Sequence, residues 1–243
     1  MTDVREEARI ELAAALRLAV HFGLNEGIDN HFSYTLPGSD DRFLLNPYGL
    51  HWSEVRASDI IEVDRDGRVI NGGGEAESTA FCIHSRIHLL HPRARCVLHT
   101  HMPYATSLTM LREGRLEPLS QTSLMFYDDV AYDEDYNGLG DTVEEGERMA
   151  AALGDKRVLF LGGHGVILVG ETIAQAFTGL YYLERACQAQ VLAMSTGGPL
   201  KRITDNVAAS TFGGRDESMA HHARIHFDAL MRLLDRQDPS YAQ

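Results

Sequence analysis

A buried strand that ends in two histidines is predicted by the stretch Ala94-Arg95-Cys96-Val97-Leu98-His99-Thr100-His101. Its central residues are apolar or β-branched, and side chains on a strand alternate between the two faces of the sheet. His99 and His101 are therefore expected to point the same way. An H-x-H pair on a strand can offer two imidazole ligands to one metal ion.

A third histidine follows another apolar run, Val158-Leu159-Phe160-Leu161, in the segment Gly162-Gly163-His164-Gly165. The glycines allow a tight turn and a close backbone approach that would present the imidazole of His164. Neutral imidazole is a good ligand for zinc, iron, manganese or cobalt. The spacing fits a three-histidine metal centre, and it also fits a half-exposed strand pair that binds nothing.

Composition and charge favour a small-molecule partner. The chain has 243 residues, of which 44% are hydrophobic and 23% charged, as in a globular protein with a substantial core. A formal net charge of -13, with no clustered basic stripe, argues against nucleic-acid binding. Since no apolar run reaches the roughly 18 residues of a spanning helix, no membrane partner is expected either.

The cysteines and the N-terminus predict a cytoplasmic protein. Cys82, Cys96 and Cys187 all lie in apolar stretches and are typical of buried thiols in a reducing compartment. The charged N-terminus continues into an amphipathic segment, which resembles neither a signal peptide nor a membrane anchor.

Sequence patterns predict helices alternating with short strands. Apolar spacing and end signals predict helices over residues 3–22, 78–91, 141–153, 172–194 and about 217–236. Besides residues 94–101, strands are predicted over 30–36, 43–45, 60–63, 68–70, 158–161 and 166–169. The acidic, tyrosine-rich stretch 112–140 is predicted to be irregular, with Asp141 placed to cap the next helix. With no linker or repeat, this pattern indicates one α/β layered domain.

Several short motifs occur in order along the chain. They are Asn30-His31-Phe32-Ser33, Asn46-Pro47-Tyr48-Gly49, Ser58-Asp59-Ile60-Ile61-Glu62-Val63-Asp64, His84, Val97-Leu98-His99-Thr100-His101, Gly163-His164-Gly165 and Tyr181-Tyr182-Leu183-Glu184-Arg185-Ala186. Together they resemble the class II aldolase/adducin family over about residues 8–199. Several ordered motifs in one chain are far more specific than any one of them.

The resemblance implies a fold, a ligand set and an assembly. The fold would be a three-layer α/β/α sandwich around a largely antiparallel sheet. Residues 1–243 would form one such domain, with the C-terminal helix packed on it or on a neighbouring subunit. His99, His101 and His164 would hold a divalent metal, with zinc the first choice and manganese or iron(II) as alternatives. Members are usually homotetramers whose active sites lie between subunits.

One departure from the family pattern concerns the catalytic carboxylate. In sugar-phosphate aldolases that resemble this chain, such as fuculose-phosphate aldolase, a glutamate four residues before the equivalent of His84 acts as acid/base and can ligate the metal. This chain has Ala80 there, and alanine can do neither. Asn30 also replaces the glycine of the phosphate-gripping turn. Ser78 and Thr79 remain near a helix N-terminus, whose N–H groups could still hold a carboxylate or phosphate.

Two residues are candidates for proton transfer. Glu77 is the nearest replacement for the missing carboxylate, although a first-turn glutamate can simply complement the helix dipole. Tyr132 lies, with Tyr127 and Tyr136, in a region that in the family often supplies a proton donor across the subunit boundary; packing is the commoner use of such a residue. The candidate substrate-binding residues are Asn30, His31, Ser33, Asn46, Gly49, Ser78 and Thr79.

The sequence thus predicts a metal-dependent lyase acting on a small oxygenated acid or carbonyl compound. A metal with three histidines and open positions can bind two adjacent substrate oxygens and stabilise an enolate, which serves decarboxylation or retro-aldol cleavage. Because decarboxylation needs no base to start, the absence of a carboxylate at Ala80 weakens the decarboxylase hypothesis less than it weakens the aldolase hypothesis. The alternatives are a mononuclear non-heme iron(II) oxygenase on the same scaffold and a non-catalytic adducin-like scaffold.

Overall fold

A single eight-stranded sheet forms the centre of the computed structural model, which describes residues 3–36, 38–91, 93–212 and 216–243. In these ranges the strands are β1 (His31–Thr35), β2 (Arg42–Leu45), β3 (Ile61–Asp64), β4 (Val69–Asn71), β5 (Cys96–Thr100), β6 (Val130–Asp133), β7 (Val158–Leu161) and β8 (Gly165–Gly170). Their order across the sheet is β4-β3-β2-β1-β5-β8-β7-β6. Neighbouring strands are antiparallel except for β6 and β7, which are parallel.

Helices cover both faces of this sheet. They are α1 (Val4–Phe22), α2 (Ser78–Leu90), α3 (Pro103–Thr109), α4 (Val143–Leu153), α5 (Ile173–Ser195), α6 (Asp205–Phe212) and α7 (Asp216–Gln237). Helices α2 and α4 pack on one face, α1, α3 and α5 on the other, and α7 packs on α5 and α1. This confirms the predicted three-layer α/β/α sandwich around a largely antiparallel sheet. Within the described ranges, no helix is both long and apolar enough to cross a membrane.

The alternation of side chains along the two central strands positions the histidines. Phe32 of β1 and Leu98 of β5 point into the core under α1 and α5. The residues that precede and follow each of them along its strand point to the opposite face, towards α2. His31 and His99 lie on that second face as direct cross-strand partners. A polar pair is therefore buried between the sheet and α2.

The prediction for residues 112–140 was wrong in part. The stretch contains β6, which pairs with β7 from Val130 opposite Val158 to Asp133 opposite Leu161. Acidic residues on both sides of Val130-Ala131-Tyr132 leave too short an apolar run for the strand pattern to be visible. Asp141 is also not the cap of α4, because the Thr142 hydroxyl accepts the hydrogen bond from the Glu145 N–H. The short helices α3 and α6 were not predicted.

Candidate metal centre

Three imidazoles meet where β5 ends and β8 begins. His99 is the fourth residue of β5, His101 follows that strand, and His164 lies in the turn between β7 and β8. Their ring centroids are 4.8 to 4.9 Å apart. One ring nitrogen from each residue lies within 4.8 Å of the other two. The structure therefore brings the three predicted ligands into one group that could hold a metal ion.

Glycines allow this close approach. A Cβ atom on Gly165 would come within 2.5 Å of the Thr100 carbonyl oxygen and 2.8 Å of the His101 ring. Gly163 has a φ of 63°, in the left-handed region that side-chain-bearing residues rarely adopt. Glycine is thus required at position 165 by the close contacts there and favoured at position 163 by the backbone conformation.

Hydrogen bonds on the outer side of two rings determine which nitrogen faces the centre. His99 Nδ1 lies 3.0 Å from the Val166 carbonyl oxygen, and His101 Nδ1 lies 2.5 Å from Glu26 Oε2. Because both oxygens only accept, both Nδ1 atoms carry the proton and both Nε2 atoms present a lone pair. These two Nε2 atoms are 3.1 Å apart. Two lone pairs repel at that distance, and a cation held between them would remove this repulsion.

The residues present fit a divalent metal. Two nitrogens bound to one tetrahedral zinc at 2.0 to 2.1 Å would lie about 3.3 Å apart, close to the 3.1 Å between the two Nε2 atoms. Burial lowers the pKa of His164 to about 4 and holds that of His99 well below its usual range. Both rings are therefore neutral near pH 7, as ligands must be. Among the residues that the structure describes, no carboxylate joins this group.

Glu26 is a residue of this centre that the sequence analysis did not identify. It lies in the loop between α1 and β1, and its side chain is 64% exposed. Its carboxylate nevertheless accepts the hydrogen bond from His101 Nδ1, and its own N–H donates to Asn30 Oδ1 at 2.8 Å. A carboxylate in this position fixes the orientation of a ligating imidazole and raises its basicity.

Glu26→Ala is expected to weaken the binding of a divalent metal by about 10- to 100-fold, the usual cost of losing such an orienting partner. The affinity for Zn²⁺ can be measured by competition with a chromophoric chelator. Glu6→Ala removes an acidic side chain from the first turn of α1 and serves as the control. Equal affinities of the two variants would contradict an orienting role for Glu26.

His31 and Glu77 lie beside the three-histidine group. The His31 ring is stacked over His99 with 6.4 Å between centroids. His31 Nε2 lies 3.4 Å from Glu77 Oε2 but makes no hydrogen bond. Burial lowers the pKa of His31 to about 4, so the ring is neutral near pH 7. Glu77 is thus separated from the candidate metal ligands by one side chain.

The Glu77 carboxylate caps α2. Its Oε2 accepts hydrogen bonds from the Ala80 N–H at 2.8 Å and from the Thr79 hydroxyl, and Ser78 Oγ lies 3.4 Å from Oε1. Burial acts to raise the pKa of Glu77, but the bonds from Thr79 and Ala80 outweigh it and hold the pKa below its ordinary value. Glu77 is therefore ionised near pH 7. We expected the helix N-terminus near Ser78 and Thr79 to be open to an anionic ligand. In the structure the Glu77 carboxylate already occupies it.

Asn30 and Asn46 bond to the backbone around β1. Asn30 Nδ2 donates to the Asp29 carbonyl oxygen at 2.8 Å, and Asn46 Oδ1 accepts from the Phe32 N–H at 2.8 Å. Gly49 lies in an exposed turn with a φ of 89°. The two asparagines shape the loop before β1, and substrate contacts by these three residues stay a prediction.

Ser33 connects two histidines of α2, the buried His84 and the half-buried His88. Its Oγ lies 2.6 Å from His84 Nδ1 and 2.7 Å from His88 Nε2. Burial lowers the pKa of His88 to about 4 and holds that of His84 well below its usual range. Ser33 thus holds α2 against β1 through neutral imidazoles. Its role towards a substrate stays a prediction.

Tyr132 contacts residues other than the three histidines. Its hydroxyl accepts from the Leu116 N–H at 3.0 Å, and the Arg115 guanidinium lies 4.2 Å from its ring centroid. Burial raises the pKa of Tyr132 to about 12. The tyrosine that lies beside the centre in its own chain is Tyr136, whose ring centroid is 6.3 Å from that of His164. Proton donation by Tyr132 across a subunit boundary stays a prediction.

Comparison with known proteins identifies the family. The family model described as Class II Aldolase and Adducin N-terminal domain matches residues 10–191. A Caulobacter vibrioides protein, named provisionally as an aldolase class 2 protein, is 36% identical over 250 residues that cover 100% of this chain and 94% of the relative. Human beta-adducin is 30% identical over 93% of this chain and 33% of the adducin. The chain belongs to the class II aldolase/adducin family.

Solved structures support the same assignment. An aldolase II superfamily protein from Pseudomonas syringae has a TM-score of 0.90 and 34% identity, covering 100% of this chain and 98% of that one. L-fuculose 1-phosphate aldolase from Glaciozyma antarctica PI12 has a TM-score of 0.86 and 30% identity, covering 98% and 93%. The family and the fold predicted from the ordered motifs are confirmed.

Proposed function

We propose that this protein is a divalent-metal-dependent lyase that breaks a carbon–carbon bond in a small oxygenated acid or carbonyl compound. The observation that carries the proposal is the group formed by His99, His101 and His164, in which two rings are held with Nε2 towards the centre. An adducin-like scaffold without catalysis has no need of such a group. We therefore place the chain with the enzymes of the family.

The residues around the centre have separable roles in this proposal. A metal bound there would supply a Lewis acid that stabilises negative charge developing on substrate oxygens. His99, His101 and His164 would hold it through neutral nitrogens, so its positive charge stays available to an anionic substrate. Glu26 orients His101, and the unpartnered His31 Nε2 can hydrogen-bond a substrate oxygen. Zinc is the first choice of metal, with manganese or iron(II) as alternatives.

Decarboxylation suits this set of residues better than retro-aldol cleavage. Retro-aldol cleavage needs a base to remove the proton of a substrate hydroxyl. Glu77 is ionised but bonded to Thr79 and Ala80, and position 80 itself has no carboxylate. Decarboxylation begins from a carboxylate that is already deprotonated and releases carbon dioxide without a base. Retro-aldol cleavage, which the aldolase name of the Glaciozyma antarctica relative indicates for that protein, is thus the second candidate.

Metal analysis together with product analysis tests the proposal. We expect about one divalent metal per chain, and carbon dioxide release from a panel of small 3-oxo acids with and without a 2-hydroxyl group, because the 3-oxo oxygen accepts the electron pair that the departing carbon dioxide leaves. Removal of the metal with a chelator should stop the release, and re-addition should restore it under argon as well as in air. Oxygen uptake coupled to turnover would instead identify the iron(II) oxygenase. A metal-free protein that acts on none of these acids, and on no phosphorylated sugar, would overturn the lyase assignment.

The assembly and compartment belong to the same proposal. Met110 and Tyr136, next to the turn that carries His164, are 68% and 57% exposed. Large apolar side chains so exposed beside a site favour a subunit boundary there, and we propose a homotetramer. Phe227 and Leu234 of α7 are buried in the main core, which supports one domain over residues 1–243. The three unpaired, buried thiols support a cytoplasmic location.

A further inference from the structure

The N-terminus of α2 is occupied by a carboxylate of the chain itself. Glu77 lies immediately before the helix and receives hydrogen bonds from the Ala80 N–H and the Thr79 hydroxyl, while the Ser78 hydroxyl lies 3.4 Å from its other oxygen. Backbone N–H groups and hydroxyls at a helix N-terminus attract phosphate and other anions. Here the groups that would bind such an anion already contact Glu77.

A second and independent group points into the same position. His31 Nε2 is buried and without a hydrogen-bond partner, and it lies 3.4 Å from Glu77 Oε2. His31 belongs to β1 and is only 6% exposed, so this approach is not a consequence of helix geometry. A buried polar atom without a partner indicates that a ligand or water completes its environment. The helix N-terminus and His31 together outline an anion position beside His99.

The neighbouring turn is closed by side chains as well. The Glu26 N–H donates to Asn30 Oδ1, and the Phe32 N–H donates to Asn46 Oδ1, each at 2.8 Å. Asn30 is fully buried, so its side chain cannot swing aside into solvent. These two backbone N–H groups are therefore hydrogen-bonded within the chain and are not free to bind a ligand.

We infer that Glu77 fills, from within the chain, the anion position beside His99, and that the substrate of this site carries no phosphate group. The inference rests on the proposed function, because it names the substrate class of the same metal centre. A phosphate at the α2 N-terminus would lie within hydrogen-bond range of the Glu77 carboxylate, and like charges at that distance repel strongly. An unphosphorylated hydroxy or oxo acid that chelates the metal has no need of this position.

Replacement of Glu77 by serine tests this inference directly. Serine is a favoured helix cap, so Glu77→Ser keeps a capping hydroxyl for α2 while it removes the carboxylate. The probe is inorganic phosphate, titrated calorimetrically into the metal-loaded protein. We expect the affinity for phosphate to rise at least about 10-fold over the wild type, because a like charge has been removed from the binding position. Glu75→Ser removes an exposed carboxylate two residues earlier and is the matched control.

The outcomes separate a specific anion position from general charge effects. A gain in Glu77→Ser that is absent in Glu75→Ser supports the inference. An equal gain in both variants overturns it, because net charge alone would account for the change. No gain in Glu77→Ser also overturns it and leaves Glu77 as a helix cap only. Glu77→Gln, which keeps the side-chain size and removes the charge, provides the same comparison if the serine variant does not fold.

This experiment is independent of the test of the lyase assignment. Phosphate binding is measured without turnover, whereas the lyase is tested by metal content and carbon dioxide release. A phosphate result that contradicts the inference would leave an active, metal-dependent decarboxylase intact. An inactive protein without metal would overturn the lyase even where Glu77→Ser gains phosphate affinity.

Discussion

His164→Ala is expected to lower the affinity for a divalent metal by at least about 100-fold, more than the loss of an orienting partner costs, and to abolish metal-dependent turnover. The variant removes one of three nitrogens and leaves His99 and His101 as a two-ligand site. His164 is also the cleanest of the three positions to alter. It lies in a turn, whereas His99 is buried and its loss would leave the Val166 carbonyl oxygen without its partner.

Cobalt reconstitution provides the measurement. Co²⁺ bound by three histidines absorbs visible light in a way that reports coordination geometry, and its titration gives the affinity as well. His221→Ala, which removes an exposed histidine of α7, is the control and should bind Co²⁺ as the wild type does. Thermal unfolding with and without metal adds a second readout, since bound metal stabilises the folded state by an amount that grows with the logarithm of its affinity. A His164→Ala protein that keeps the wild-type spectrum and affinity would remove His164 from the ligand set.

The metal group could be predicted from the sequence because each of its signals is local. His99 and His101 are two residues apart on an apolar strand, and His164 is flanked by the glycines that its turn requires. Strand alternation and glycine conformation act over a few residues, so short windows contain the information. The order of the strands, which brings β5 beside β8, was not predicted and came only with the structure.

Glu26 could not be predicted because its role depends on a long-range contact. It is 75 residues from His101 in the sequence, and nothing around it distinguishes it from other exposed glutamates. Glu77 was found as a candidate, but its state as an ionised cap depends on where Thr79 and Ala80 place their donors. The residues that orient or neutralise a site depend on contacts made only in the packed fold, whereas the three histidines that could hold a metal have a recognisable spacing in the sequence.

Ala80→Glu, which restores the carboxylate of the sugar-phosphate aldolases, is expected to cost about 3 to 5 kcal/mol of folding free energy at pH 7, the usual price of an unpaired buried charge. Ala80 is fully buried in an apolar cluster with Phe43, Leu45, Ile61 and Val63. The measurement is urea unfolding, with Ala80→Gln as the control. Glutamine has nearly the same size, so the difference between the two variants isolates the charge from overpacking.

The pH dependence of the difference in unfolding free energy between Ala80→Glu and Ala80→Gln shows whether the buried charge causes it. Burial raises the pKa of a carboxyl above its unfolded value of about 4.3. Below about pH 4 the group is protonated in both states, and the two variants should be nearly equally stable. As the pH rises, the unfolded chain ionises first, and the Glu variant should lose stability relative to the Gln variant until the folded carboxyl also ionises.

The opposite result would change the reaction class. If Ala80→Glu were as stable as Ala80→Gln at pH 7 and bound metal more tightly than the wild type, its carboxylate would have to reach the three histidines. Position 80 would then be a ligand position that this chain leaves unfilled, and a water molecule could take the part of the missing base in retro-aldol cleavage. If the carboxylate is instead confined to the apolar cluster, a side chain at position 80 does not reach the three histidines, and no base could act on a bound substrate from there. Decarboxylation tolerates that arrangement, because the only proton it requires is added after the carbon–carbon bond has broken.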